Sequence, residues 1–292
     1  MSVDKLQEKI RKLKNPSVLA FDMLPEHIPP HIRDKDSYFV SAYETCCTEL
    51  LQGLKGIVPA VRFSLGMMSL YGPDGLVVLT GLLRTARSLG YYILLDIPNA
   101  FSARDSMRAA ELLMGENTNL EFDGLIASAY IGSDGLRGYS EKMKDTDKDL
   151  FVLVRTANKT APELQDLLTG SRLVHTAAAD VVNRLAQPMT GRSGYSRIAA
   201  VAAGSAPEST RVLRSKYKSL FLLLDGYDYP NVNAKNCSAA FDGFGHGSAV
   251  CAGTSVTAAW QTADGSSEEF VSCAVEAAER MRKNLTRYVT VL

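Results

Sequence analysis

Charged residues follow the first three short apolar segments of the sequence, and their types are suited to binding a polar ligand. Asp22, Arg62 and Asp96 each stand at the end of one of these segments. A guanidinium between two carboxylates can hold a polar ligand, or it can form a structural salt bridge that closes a site. The residue types alone leave both interpretations open.

Further polar side chains stand near the ends of the later segments, and we treat them as candidate ligand-binding residues. Their hydroxyl, amide and carboxylate groups all form hydrogen bonds. No zinc-ligand spacing, phosphate-binding glycine motif or serine-nucleophile turn accompanies them, so the sequence predicts no metal and no cofactor. The candidates are Asn99, Tyr130, Thr156, Asn158, Asp225, Tyr227 and Thr254.

Eight aliphatic or β-branched segments recur along the chain, and several are apolar throughout. That pattern is typical of strands buried on both faces, as in a parallel sheet. Helical patterns fill the intervals: Pro73 and Gly90 frame a helix over 76–89, and Pro162 opens another long helix. The predicted strands cover 17–21, 57–63, 91–95, 124–127, 151–154, 198–202, 220–224 and 248–251.

The alternation of eight strands with eight helices predicts a (β/α)8 barrel, and a doubly wound open sheet is the alternative. No linker divides the chain, so we expect one domain over 1–292, with an amphipathic N-terminal helix at about 4–14. In a barrel, functional residues lie at the carboxyl ends of the strands. The candidate residues would therefore meet at one mouth.

The composition excludes several classes of partner. The chain has 292 residues with 32 basic and 32 acidic side chains, so it has no positive excess for a nucleic-acid backbone. Its apolar segments are far shorter than the roughly 20 residues that span a bilayer, which predicts no membrane partner. Five cysteines without a framework spacing indicate reduced thiols and a cytoplasmic protein.

Motifs over nearly the whole chain resemble one known family. They are Ala-Phe-Asp at 20–22, Val-Pro-Ala-Val-Arg at 58–62, Tyr-Gly-Pro-Asp-Gly-Leu at 71–76, Tyr-Ile-Gly-Ser-Asp at 130–134, and Phe-Val-Leu-Val-Arg-Thr-Ala-Asn at 151–158. With these motifs the chain resembles orotidine 5′-monophosphate decarboxylases of the longer bacterial subgroup. The resemblance implies a (β/α)8 barrel of pyrimidine-biosynthesis ancestry, usually a homodimer with its active sites at the shared interface.

The chain departs from this family at the residues that the reaction needs. The family carries Asp-x-Lys-x-x-Asp after the third strand, and here only Asp96 matches. Pro98 replaces the lysine that would protonate the carbanion, and Phe101 replaces the aspartate that would reach across the dimer. Arg62 stands at the position of a second lysine, and a guanidinium, with its pKa above about 12, cannot donate a proton near pH 7.

The resemblance also implies a phosphate site, and its residues differ here as well. The family binds phosphate with a glycine-rich loop after the seventh strand and an arginine after the eighth. In this chain the loop carries Asp225 and Asp228 together with Pro230, and Thr254 stands at the arginine position. The carboxylates would repel a phosphate, and a proline supplies no N–H to bind one.

These departures leave three hypotheses. We favour a non-catalytic barrel, or pseudoenzyme, that binds a partner or a small molecule at its mouth. The second is an enzyme of different chemistry on a non-phosphorylated ligand. The third is an active carboxy-lyase that forms UMP with a lysine from elsewhere, such as Lys159. For an inactive site we expect the side chains of Phe101 and Tyr227 to fill the mouth.

Overall fold

Eight parallel strands close into a barrel in the computed structural model, which describes residues 2–35, 38–98, 100–263 and 266–292. Each strand pairs with the next along the chain, and the last pairs with the first. A two-stranded hairpin, β6 and β7, lies outside the barrel. The (β/α)8 prediction is confirmed. The strands are β1 (Ser17–Ala20), β2 (Ala60–Ser64), β3 (Tyr92–Asp96), β4 (Gly124–Ser128), β5 (Asp149–Leu153), β6 (Leu168–Thr169), β7 (Arg172–Leu173), β8 (Ile198–Ala203), β9 (Leu222–Asp225) and β10 (Ser248–Ala252).

Helix α1 precedes the barrel, α2–α11 lie between its strands, and α12 and α13 follow β10. In the described ranges none of them is long and apolar enough to cross a membrane. They are α1 (Ser2–Leu13), α2 (Pro30–Arg33), α3 (Phe39–Gly53), α4 (Leu65–Ser69), α5 (Gly72–Leu89), α6 (Ala103–Met114), α7 (Gly132–Lys142), α8 (Pro162–Gln165), α9 (Val174–Ala186), α10 (Pro207–Lys216), α11 (Ala234–Cys237), α12 (Thr254–Thr257) and α13 (Phe270–Thr286).

Aromatic side chains pack against one another in the core. Phe151 makes edge contacts with Tyr92 and Phe221, at ring-centroid distances of 6.5 and 6.2 Å. Gly124 gives the Phe151 ring its space, because a Cβ atom at this position would lie 2.7 Å from the ring. Close packing of large side chains is how a small barrel fills its centre.

Helix α1 binds residues that precede two of the strands. Leu6 and Ile10 are completely buried on its apolar face. The Asp4 carboxylate accepts the Ser193 backbone N–H at 2.8 Å, and the Gln7 side chain accepts that of Gly247 at 3.0 Å. Because Ser193 precedes β8 and Gly247 precedes β10, α1 covers the amino end of the barrel and leaves the carboxyl end as the open mouth.

The segment around Pro162 differs from its prediction. We expect a long helix to open here, but α8 has only four residues and the long helix α9 begins at Val174. The Asp166 carboxylate pairs with Arg155 at 2.8 Å. The Gln165 side chain hydrogen-bonds the loop after β5. Because Gln165 and Asp166 make these tertiary contacts, the chain leaves the helical conformation after Gln165, and the contacts outweigh the helical propensity of the segment.

Candidate functional site

The carboxyl ends of four neighbouring barrel strands, β9, β10, β1 and β2, surround a cavity of about 340 Å³. This volume lies near the lower limit for small-molecule sites. Within the described ranges, Arg62 is the one basic residue of the lining, which also contains three carboxylates. The lining consists of Ala20, Asp22, Arg62, Asp225, Gly226, Asp228, Tyr229, Cys251, Ala252, Gly253 and Thr254.

The Arg62 guanidinium bridges two carboxylates across the mouth. It donates hydrogen bonds to the Asp22 carboxylate and to Asp225 Oδ1, the latter at 3.1 Å. Burial disfavours its charge, but the neighbouring acidic groups outweigh this effect and raise the pKa of Arg62. Of the two interpretations of Asp22, Arg62 and Asp96, the structure shows a salt bridge, in which Arg62 pairs with Asp22 and Asp225. A cavity remains open beside this salt bridge.

Asp96 is the third strand-end carboxylate near this guanidinium. Its backbone lies in register with Ser64, two residues beyond Arg62 on the neighbouring strand. Burial raises the pKa of Asp96 to about 6, and the nearby carboxylates of Asp22 and Asp225 add to the rise while Arg62 opposes it. Asp22 and Asp225 hydrogen-bond the guanidinium, whereas Asp96 interacts with it electrostatically and can take up a proton near neutral pH.

The Asp228 carboxylate binds the first turn of α12. Its Oδ2 atom accepts the Gly253 backbone N–H at 2.7 Å, and its Oδ1 atom accepts the Ser255 hydroxyl. A Cβ atom on Gly253 would lie 2.9 Å from the carboxylate, so the absence of a side chain permits this approach. The Gly253 N–H could otherwise donate a hydrogen bond to a bound anion, but here it donates to the Asp228 carboxylate.

The two candidates after β5 belong to a hydrogen-bond network within their own loop. The Thr156 hydroxyl donates to Asn158 Oδ1 at 2.5 Å and accepts from the Gln165 side chain at 2.7 Å. The Asn158 amide donates to Thr160 at 3.1 Å. These bonds fix the loop conformation, and neither Thr156 nor Asn158 lines the mouth cavity.

The other candidates are distributed over separate places. Tyr130 follows β4 and is 61% exposed. Tyr227 is half-buried and lines a different cavity, together with Asn284 of α13, instead of the mouth cavity. Asn99 lies outside the described residues. The expectation that Phe101 and Tyr227 fill the mouth is wrong, because Phe101 is fully exposed.

Sequence reasoning missed one residue of the mouth, Cys251. Cys251 on β10 is buried in the cavity lining, and burial raises the pKa of its thiol. Its position near the carboxyl end of the last barrel strand was the signal that could have found it. Tyr229, which the hypothesis of a non-phosphorylated ligand groups with Asp225 and Asp228, forms part of the rim and is 43% exposed.

Comparison with known proteins finds relatives that are orotidine 5′-phosphate decarboxylases. The chain is 25% identical over 288 residues to an orotidine 5′-phosphate decarboxylase of Petrotoga mobilis, covering 98% of both chains. It is 26% identical over 290 residues to one of Clostridium acetobutylicum, covering 98% of this chain and 99% of the relative. These relatives support a relationship between this chain and the orotidine 5′-phosphate decarboxylase family. No protein-family model matches the chain.

Solved structures agree with the barrel fold. The orotidine 5′-monophosphate decarboxylase of Plasmodium berghei superposes with a TM-score of 0.77 at 13% identity, covering 97% of this chain and 98% of that one. The enzyme of Methanocaldococcus jannaschii, complexed with the inhibitor BMP, gives 0.64 at 13% identity, covering 93% and 98%. At these identities the structures establish the fold alone.

Proposed function

We propose that this chain is a divergent barrel of the orotidine 5′-phosphate decarboxylase family that does not decarboxylate orotidine 5′-monophosphate. One observation carries the proposal: the mouth's basic group is Arg62, and it is held between Asp22 and Asp225. A decarboxylase of this kind needs a proton donor for the carbanion left when carbon dioxide departs. The raised pKa of Arg62 makes it unable to be that donor near pH 7.

The lysine that could replace this donor is absent from the described cavity lining. Pro98, at the family's lysine position, carries no ionisable group. Lys159 is exposed in the loop after β5 and is not part of that lining. Groups that act as a unit in catalysis lose most of their effect when one is removed, so a large loss of activity follows.

The charge of the mouth also disfavours a nucleotide phosphate. The Gly253 N–H donates its hydrogen bond to Asp228. Thr254, at the position of the family's arginine, is uncharged. Arg62 offsets only one of the two negative charges of Asp22 and Asp225, and Asp228 in the lining and the nearby Asp96 add further negative charge. A phosphate dianion placed here would meet like charges in a confined space.

A second candidate function rests on Asp96. Asp96 is not itself part of the described cavity lining, but it ends β3, the neighbour of the strand that carries Arg62, and a carboxyl group whose pKa is raised to about 6 can hold and transfer a proton near neutral pH. The acceptor-rich lining suits a non-phosphorylated ligand with hydroxyl or ammonium donors, and Tyr229 offers a ring at the rim. Under this alternative, the chain is an enzyme whose acid–base group is Asp96.

We also propose that the chain forms a homodimer through the rim beside β2, β3 and β4. Leu70, Phe101 and Tyr130 follow these three neighbouring strands, and they are 81%, 100% and 61% exposed. Exposed large apolar side chains after three neighbouring strands favour a protein–protein contact.

The experiment that tests the proposed function is a decarboxylation assay. Purified protein is incubated with orotidine 5′-monophosphate, and the absorbance change on conversion to UMP is followed. We expect no conversion above the uncatalysed background. Turnover at a rate typical of enzymes, on the order of 1 per second or more, would establish the active-decarboxylase alternative instead.

A further inference from the structure

A second cavity lies outside the barrel, where α11 packs against α13. Its volume is about 460 Å³, within the range of small-molecule sites. It shares no lining residue with the mouth cavity. A ligand bound here would contact none of the residues that line the mouth.

The charge of this cavity is opposite to that of the mouth. Lys235 on α11 and Arg287 just after α13 both line it, and no acidic residue does within the described ranges. Both basic side chains are exposed, and in the described part of the chain neither forms an ion pair. Two uncompensated cations beside one cavity attract an anion, and an arginine can bind a carboxylate or phosphate with two hydrogen bonds.

Two tyrosine rings and two amide side chains complete the site. Tyr227 is half-buried and lines the cavity together with Asn284, while Tyr288 is 54% exposed. Asn233 uses its oxygen to accept the Asn236 backbone N–H at 2.9 Å, so its amide N–H groups stay available. Aromatic rings beside the basic groups provide surface for a planar, apolar part of a ligand.

We propose that this cavity binds a small aromatic anion, a planar ring that carries one carboxylate or phosphate group. Lys235 and Arg287 bind the anionic group, and Tyr227 and Tyr288 contact the ring. This arrangement accounts for the position of Tyr227, which the sequence marks as a ligand-binding residue and which the structure turns away from the mouth. The positive lining disfavours cations.

The proposal is tested by calorimetric titration of the full chain with phenyl phosphate and benzoate as probes. Inorganic phosphate lacks the ring and phenol lacks the charge, so the proposal expects both to bind at least about tenfold more weakly than phenyl phosphate. The double variant Lys235→Gln/Arg287→Gln should weaken binding of both anionic probes by at least about tenfold. Lys283→Gln, also on α13 but outside the cavity, is the matched control and should leave binding unchanged.

Two results would overturn the proposal. Equal binding in the wild type and in the double variant would show that the basic pair does not hold the anion. If the affinity for phenyl phosphate rises in Asp228→Asn and is unchanged in Lys235→Gln/Arg287→Gln, the probe binds at the mouth instead. A Tyr227→Phe variant, which keeps the ring and removes the hydroxyl, should retain binding of phenyl phosphate within about threefold.

Discussion

The Asp228 carboxylate lies 2.7 Å from the Gly253 backbone nitrogen and accepts its hydrogen bond. This contact joins the loop after β9 to the start of α12 and places a negative charge over an N–H group of the mouth. Under our proposal, it is one reason why a nucleotide phosphate is not bound.

Replacing Asp228 should therefore change the preference of the mouth for phosphate. We expect the wild type to bind UMP no more tightly than uridine. Asp228→Ala should improve the affinity for UMP by at least about tenfold and leave uridine nearly unchanged, because a repelling charge is lost and the Gly253 N–H is freed. Calorimetry measures both ligands, and Glu163→Ala, at an exposed carboxylate in α8, is the control. Tight UMP binding that is equal in wild type and Asp228→Ala would contradict the repulsion argument.

The raised pKa of Asp96 predicts a pH-dependent stability. Its pKa lies at about 6 in the folded chain, against an ordinary value of 3.8, so the folded state holds the proton more tightly than the unfolded state. The resulting stabilisation is present below about pH 4 and is lost as the pH rises through about 6. Two pKa units correspond to about 3 kcal/mol, which is an upper value for this half-buried group.

Urea unfolding of Asp96→Asn checks this relation. Relative to the wild type, the variant should gain stability between pH 4 and pH 7, by up to about 3 kcal/mol. Asp145→Asn, at an exposed carboxylate, is the control and should have the same free energy of unfolding as the wild type at each pH. A constant difference between Asp96→Asn and the wild type from pH 4 to pH 7 would show that Asp96 titrates normally.

The Arg62 bridge should contribute to folding stability. Arg62→Gln leaves Asp22 and Asp225 without their shared cation and should lower the unfolding free energy by about 2 kcal/mol at pH 7. The value is reduced from that of a fully buried pair because the two carboxylates are 34% and 38% exposed. Arg211→Gln removes an exposed pair with Glu208 and should cost less than about 0.5 kcal/mol. Equal effects of the two substitutions in urea unfolding would refute the role of the bridge.

Phe101 should contribute to self-association if the rim beside β3 is the dimer contact. Phe101→Asp places a charge on a fully exposed apolar position and should weaken the dimer by at least about tenfold, with little change in monomer stability. Sedimentation measures the association, and Leu292→Asp, at the exposed C-terminal residue, is the control. A wild type that is monomeric at high concentration, or a variant that dimerises equally, would contradict this proposal.

The barrel was predictable because its strands are continuous apolar segments, whose pattern is local in the sequence. The Arg62 bridge to Asp22 was foreseen as one of two arrangements. The bond to Asp225 joins residues 163 positions apart and depends on barrel closure.

Tyr227 was misplaced because its side chain points away from that of Asp225, and the orientation of a loop residue is set by tertiary packing. The length of α8 was misjudged because Arg155 binds Asp166.

The most direct test of the central claim is the release of labelled carbon dioxide from carboxyl-labelled orotidine 5′-monophosphate. Wild type and the double variant Asp22→Asn/Asp96→Asn are compared at high protein concentration, so that a trace of contaminating enzyme would give equal signals in both. Our account predicts that the wild type releases no more label than the double variant. Release by the wild type that is abolished in the double variant would show that the mouth catalyses decarboxylation after all.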